Sequence, residues 1–138
     1  MNLIVYYGRE KDILKIVYKY QKDYEATVYE IKTLKEVSLI NKLTNSNINI
    51  QRCNLNLMNY ERVIVISSLW FNKVPLPVIR FLEQSIGRIN KVVYVLYNKN
   101  KADKPMEFNK MDKILNIHRE KSYFVNLTKD RINFRVYQ

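Results

Sequence analysis

The chain has 138 residues, 47% of them hydrophobic, with one Trp, eleven Tyr and five Phe; this excludes a disordered chain. A chain of that length forms one globular domain and needs no disulfide or metal staple. Its 24 Lys and Arg against 13 Asp and Glu give +11, a balance that suits an acidic protein partner, an anionic surface or nucleic acid. The basic residues are spread along the whole chain, so plain solubility accounts for the charge equally well.

LIVYY (3–7) is a short apolar run closed by Gly8, the pattern of a buried strand. In KDILKIVYKYQKDY (11–24), Ile13, Ile16, Val17, Tyr20 and Tyr24 recur at spacings of three and four, one face of a helix. Asp12 falls at its N-cap or in its first turn, although KIVYKY (15–20) would also serve as a strand. TVYEIKTLKEVSLINKL (27–43) has helical spacing at Val28, Ile31, Leu34, Ile40 and Leu43; alternatively ATVYEI (26–31) is a strand and the helix starts near Leu34. NSNINIQ (45–51) alternates Ile48 and Ile50 with polar residues, as a half-buried strand does. NLNLMNYE (54–61) connects it to RVIVISS (62–68), which is apolar on both faces like a central parallel strand.

Pro75 and Pro77 forbid a continuing strand, and Pro77 suits the first position of a helix. Val78, Phe81, Leu82 and Ile86 make that helix's apolar stripe, and Gly87 stops it. KVVYVLY (91–97) is a second doubly buried strand, followed by the polar loop NKNKADKP (98–105). MEFNKMDKILNIHRE (106–120) is a helix with Met111, Ile114, Leu115 and His118 on one side. SYFVNL (122–127) is a last core strand, TKDR (128–131) a turn, and INFRVYQ (132–138) an antiparallel edge strand. The alternation predicts a single α/β domain: a mostly parallel five-stranded sheet, covered on both faces, with an extra edge strand at the C-terminus. No apolar run reaches the ~20 residues of a membrane span, so no transmembrane segment is expected. The N-terminal residues lack the layout of a signal peptide, and the lone Cys53 suits a reducing compartment; a cytoplasmic protein is expected.

Ligands of an open parallel sheet bind at the carboxyl ends of its strands, near the switch in strand order. Three loops qualify: YGREKD (7–12), SSLWFNK (67–73) and YNKNKADK (97–104). Trp70 and Phe71 either plug the end of the sheet or stack on a flat ring. His118 reads as a core residue, and Cys53 has no partner for a metal or nucleophilic site. Asp103 and Glu107 have helical spacing without an acid–base context, and no Walker loop, zinc spacing or Ser-His-Asp pattern occurs. With only Gly8 and Gly87, the chain has little glycine for a backbone loop that wraps a phosphate.

YERVIVISSLWFNKVPLPVIRFLEQSIGRINKVVYVLYNK (60–99) resembles the middle of flavodoxin-like proteins, and INIQRCNLNLMNYE (48–61) is similar to their short second strand and connection. The resemblance covers roughly residues 46–99 and lies nearest the branch of menaquinone-dependent protoporphyrinogen oxidase, with short flavodoxins equally compatible. It implies a three-layer sandwich that binds FMN. Trp70 or Phe71 would stack on one face of the flavin, and Tyr97 with Asn98 would occupy the loop on the other. Ser67 and Ser68 end the central strand beside it. Gly8, Arg9 and Lys11 would lie by the phosphate, since the family's first loop, Ser/Thr-x-Thr-Gly-Asn-Thr, places it at a helix N-terminus.

Here that loop reads Tyr7-Gly8-Arg9-Glu10-Lys11-Asp12, without a hydroxyl after Tyr7 and with Glu10 and Asp12 set against Arg9 and Lys11. An alternative register makes KIVYKY (15–20) the first parallel strand and QKDYEAT (21–27) the phosphate loop, with Thr27 as its hydroxyl. Two functions follow: a small FMN-binding oxidoreductase or electron carrier, and a flavodoxin-like domain without cofactor that works as a basic binding module. The family's last helix has no counterpart after SYFVNL, so an uncovered apolar face, and with it a homodimer or another partner chain, is expected.

Overall fold

The computed structural model of the chain describes residues 1–99, 102–128 and 131–137. Six strands form one sheet: β1 (Asn2–Tyr7), β2 (Ala26–Glu30), β3 (Arg62–Ser68), β4 (Val92–Tyr97), β5 (Lys121–Thr128) and β6 (Arg131–Tyr137). Their order is β2-β1-β3-β4-β5-β6; the first five are parallel and β6 is antiparallel to β5. The switch in strand order therefore lies between β1 and β3, with the loop after β1 above it.

Alternate residues of each strand feed two cores, as the two-residue period requires. Leu3, Val5, Val63, Val65, Tyr94, Leu96 and Phe124 face helices α3 (Leu76–Gln84) and α4 (Met106–Leu115), meeting Val78, Phe81, Phe108 and Met111. Ile4, Ile64, Ile66, Val93, Val95 and Val125 face α1 (Lys11–Tyr24), whose stripe is Ile13, Ile16, Val17 and Tyr20. The expected mostly parallel α/β sandwich with a C-terminal edge strand is thus formed. No helix among the described residues is long and apolar enough to cross a membrane.

Among the described residues one helix covers the α1 face, and aromatic side chains extend its cover. Tyr20 lies 5.7 Å from Tyr123, which meets Phe134 of β6 edge-on at 5.7 Å. Tyr123 and Val125 are consequently buried, and the uncovered apolar surface expected near the C-terminus contracts to Phe134 and Val136, 48% and 56% exposed.

Several local expectations are corrected. Residues 15–20 belong to α1, so the alternative register with a strand there falls. Of the two readings of residues 26–43 the strand holds, since Ala26–Glu30 pairs with the free edge of β1; the helix starts neither at Thr27 nor near Leu34, and only Leu39–Thr44 is helical (α2), with no buried residue. Leu34, Ile40 and Leu43, at helical spacing, stand 62%, 71% and 58% exposed. Nor does 45–51 form a sheet strand; Ile50 makes one antiparallel bridge to Thr33, closing an arm that carries α2. The segment 48–61, likened to a short second strand and its connection, holds no strand of the sheet; the second strand in chain order is β2. The last helix stops at Leu115, where Asn116 takes a left-handed conformation (φ 62°), and His118 beyond it is exposed rather than in the core. Likewise α3 ends at Gln84, which leaves Ile86 51% exposed and Gly87 (φ 74°) in the following turn. The centre of the expected turn at 128–131, and Asn100 and Lys101 of the polar loop, lie outside the described residues.

Candidate functional site

The wall of the site is the loop between β3 and α3. Trp70 and Lys73 bond to each other in both directions, the two N···O distances being 2.8 and 2.9 Å. The two residues between them, Phe71 (φ 49°) and Asn72 (φ 68°), both have positive φ, the pattern of a type I′ turn. Such a turn places its neighbours on opposite sides. Trp70 points in and is 9% exposed, packed with Ile48 and Leu76 and edge-on to Tyr7 at 5.6 Å. Phe71 points out and is 59% exposed, and no aromatic ring of the described residues stacks on it.

Remote side chains hold this wall in place. Asn45, the C-cap of α2, donates to the Val74 carbonyl at 3.0 Å and accepts from the Leu76 N–H at 2.7 Å. Glu107 of α4 accepts from the Val74 N–H at 2.7 Å. The side-chain amide of Asn98, just past β4, donates to Asn72 Oδ1 at 2.9 Å and to the Ala102 carbonyl at 3.0 Å. These bonds satisfy the backbone of a loop that two prolines keep out of the sheet.

Between this wall and the loop after β4 lies a cleft of about 400 Å³ at the carboxyl ends of β3 and β4. Ser68, Trp70, Phe71, Asn72, Asn98 and Lys99 line it, with Glu10 from the start of α1 and Leu39 and Lys42 from α2. The Lys42 ammonium sits 5.6 Å from the centre of the Trp70 ring, within cation–π range. Ser68, Trp70, Phe71 and Asn98 of the sequence-derived set thus meet here. Asn72 joins them from the same candidate loop, and Leu39 and Lys42 join without a signal in the sequence: the arm that brings α2 across carries no local motif.

The other candidates lie elsewhere. Ser67 is fully buried, its hydroxyl donating to the Ser68 carbonyl at 2.8 Å. Tyr97 turns to the α1 face, where its hydroxyl donates to Asp12 Oδ2 at 2.8 Å. Burial, then the bond to Asp12, pushes its pKa up to about 12. Gly8 and Arg9 line a neighbouring hollow of about 310 Å³ over β1 and β2. The Arg9 guanidinium points away to Glu30 at 3.1 Å, and Lys11 is exposed as the first residue of α1.

The carboxylates noted in the sequence have structural partners: Asp103 pairs with Arg135 and Tyr137, and Glu107 holds the Val74 N–H. Among the described residues no group of three or more His, Cys, Asp or Glu side chains is placed to hold a metal ion. The cleft therefore offers an exposed ring, an aromatic floor and two lysines, a composition suited to a flat, electron-poor ligand with polar edges.

No protein-family model matches the chain, and no curated protein sequence matches it. Solved structures do. A flavoprotein from Lactobacillus acidophilus NCFM, in complex with FMN, superposes with a TM-score of 0.67 at 15% identity, over 89% of this chain and 91% of that one. The apo-form of the flavoprotein from Lactobacillus acidophilus NCFM gives a TM-score of 0.72 at 15% identity, over 89% and 90%. A structure from Bacteroides eggerthii DSM 20697, assigned as a flavoprotein, reaches 0.76 at 12% identity over 92% and 89%. The chain has the flavodoxin-like fold of these flavoproteins.

Proposed function

We propose that the chain is an FMN-binding flavoprotein whose cleft holds the isoalloxazine ring against Phe71, and that it serves as a small oxidoreductase or electron carrier. The observation that carries this reading is Phe71 itself. A bulky apolar residue stands exposed, at a left-handed φ that favours glycine or asparagine, on a turn tied down by Asn98 at the edge of a cleft. Such strain persists where the surroundings impose it, and a ring ligand gives it a purpose. When bound, the isoalloxazine group supplies one- and two-electron redox chemistry.

The chain's own residues supply geometry and environment. Phe71 covers one face of the ring and removes it from water, and Trp70 with Leu39 forms an apolar floor. Asn98 and the Asn72 amide fix the turn in place, while Lys42 and Lys99 bring positive charge that favours the reduced, anionic ring. The basic surface suits an acidic redox partner. A second copy of the chain is our candidate cover for Phe134 and Val136 on β6.

The test is a visible absorption spectrum of the freshly purified chain followed by titration with FMN. Bound yellow flavin, or quenched flavin fluorescence that Phe71→Ala weakens, is expected. A colourless protein indifferent to FMN rejects the reading and leaves a basic interaction module on the same fold.

A further inference from the structure

The residues of the cleft suit the ring of FMN, whereas those at the N-terminus of α1 do not suit its phosphate. A helix start carries unpaired N–H groups and partial positive charge, so it seats an anion readily. In this chain the seat is furnished with its own anions. Glu10 occupies the N-cap position, and its carboxylate folds back over Gly8 so closely that a Cβ on that glycine would collide with Oε2. Gly8 has φ 115°, a backbone conformation only glycine adopts freely, so the loop and the folded carboxylate fit each other.

Two residues on, Asp12 adds a second carboxylate in the first turn, held by the Tyr97 hydroxyl at 2.8 Å. The guanidinium of Arg9 is drawn off to Glu30 at 3.1 Å, and no serine or threonine stands between Gly8 and Asp12. Glu10 also lines the ring cleft, so its charge lies at the junction between ring and tail.

We infer that the Glu10 carboxylate, which stands over Gly8 beside the helix start without bonding its N–H groups, repels a phosphate there, so that the cleft selects its ligand by the ring alone and takes riboflavin as tightly as FMN. The inference rests on the ring-binding reading above. A phosphate brought to this helix start meets a carboxylate and no hydroxyl, and like charges at such range offset the gain from the helix dipole. Removing the Glu10 charge while keeping its shape lifts its share of that repulsion.

The experiment titrates the full chain and its Glu10→Gln variant with riboflavin and with FMN, read by quenching of flavin fluorescence. For the native chain the two dissociation constants are expected within about threefold of each other. Glu10→Gln is expected to raise the affinity for FMN relative to that for riboflavin by about fivefold, the size of a favourable helix-terminus charge. FMN preferred by the native chain by more than about 30-fold, or an FMN affinity unmoved relative to riboflavin by the substitution, overturns the inference while sparing the ring site. Failure of both flavins to bind overturns the ring reading, and this inference with it.

Discussion

Replacing Phe71 by asparagine separates the ring's service to a ligand from its cost to the fold. Phe71 stands at φ 49° with 59% of its surface in water, so little packing is lost on its removal. Left-handed backbone costs an ordinary L-residue about 1–2 kcal/mol, and asparagine is among the few that visit it readily. Asparagine is also favoured in type I′ turns, and it avoids the extra unfolded-state entropy that glycine would bring. Phe71→Asn is therefore expected to stabilise the unliganded chain by about 1 kcal/mol, which raises Tm by roughly 3–5 °C for a domain of this size.

The same change removes the stacking face, worth about 1–3 kcal/mol for a flat heteroaromatic ring, so FMN affinity should fall about tenfold. Calorimetric melting of the apo chain and FMN titration check the two halves independently. A lower Tm would show that Phe71 packs in a way its exposure does not suggest. An unchanged FMN affinity would remove the ring from the site. Either result refutes the reasoning.

Asn98→Ala deletes two part-buried hydrogen bonds, to Asn72 and Ala102, and is expected to cost about 1–2 kcal/mol in urea unfolding and to weaken FMN binding through the loosened turn. Loss of stability with unaltered FMN affinity would mean that the turn keeps its place without this anchor. Burial raises the pKa of Tyr7 and of Tyr97 from 10.0 to about 12, so the unfolded chain ionises first. Their contribution is complete below about pH 10 and is lost as pH climbs through about 12; the urea midpoint should hold level up to pH 10, then fall, and Tyr97→Phe should flatten part of that fall. A midpoint that rises above pH 10 would contradict the assignment. Sedimentation velocity at micromolar concentration is expected to give a dimer that Phe134→Glu returns to monomer; a native monomer would reject the second copy as the cover of β6.

Much of the fold could be read from local pattern. RVIVISS and KVVYVLY are apolar on both faces, and such runs have nowhere to lie but in the middle of a covered parallel sheet. The stripe Ile13, Ile16, Val17 and Tyr20 made α1 the better reading of its segment, and its burial against β1 and β3 agrees. The loop after β3 was recognisable as a place for aromatics because strand, prolines and helix start follow one another in sequence. Local pattern failed where two structures share one spacing. Residues 27–43 carry a helical period and 26–31 would also serve as a strand; β1 has an edge that must pair, so Ala26–Glu30 takes the strand reading while Leu34, Ile40 and Leu43 go to solvent.

The division between Trp70 and Phe71 is of the same kind. Adjacent in sequence and alike in character, they are parted by the positive φ of a turn that Asn45, Asn98 and Glu107 hold from three distant parts of the chain. Composition and periodicity determined the buried strands of the sheet and with them the end at which open parallel sheets bind ligands, because those depend on side chains that follow one another. Which aromatic faces the cleft, which lysine crosses to meet it and which carboxylate lies on the helix start were decided only by tertiary structure, because each depends on hydrogen bonds and contacts between segments that no local spacing encodes.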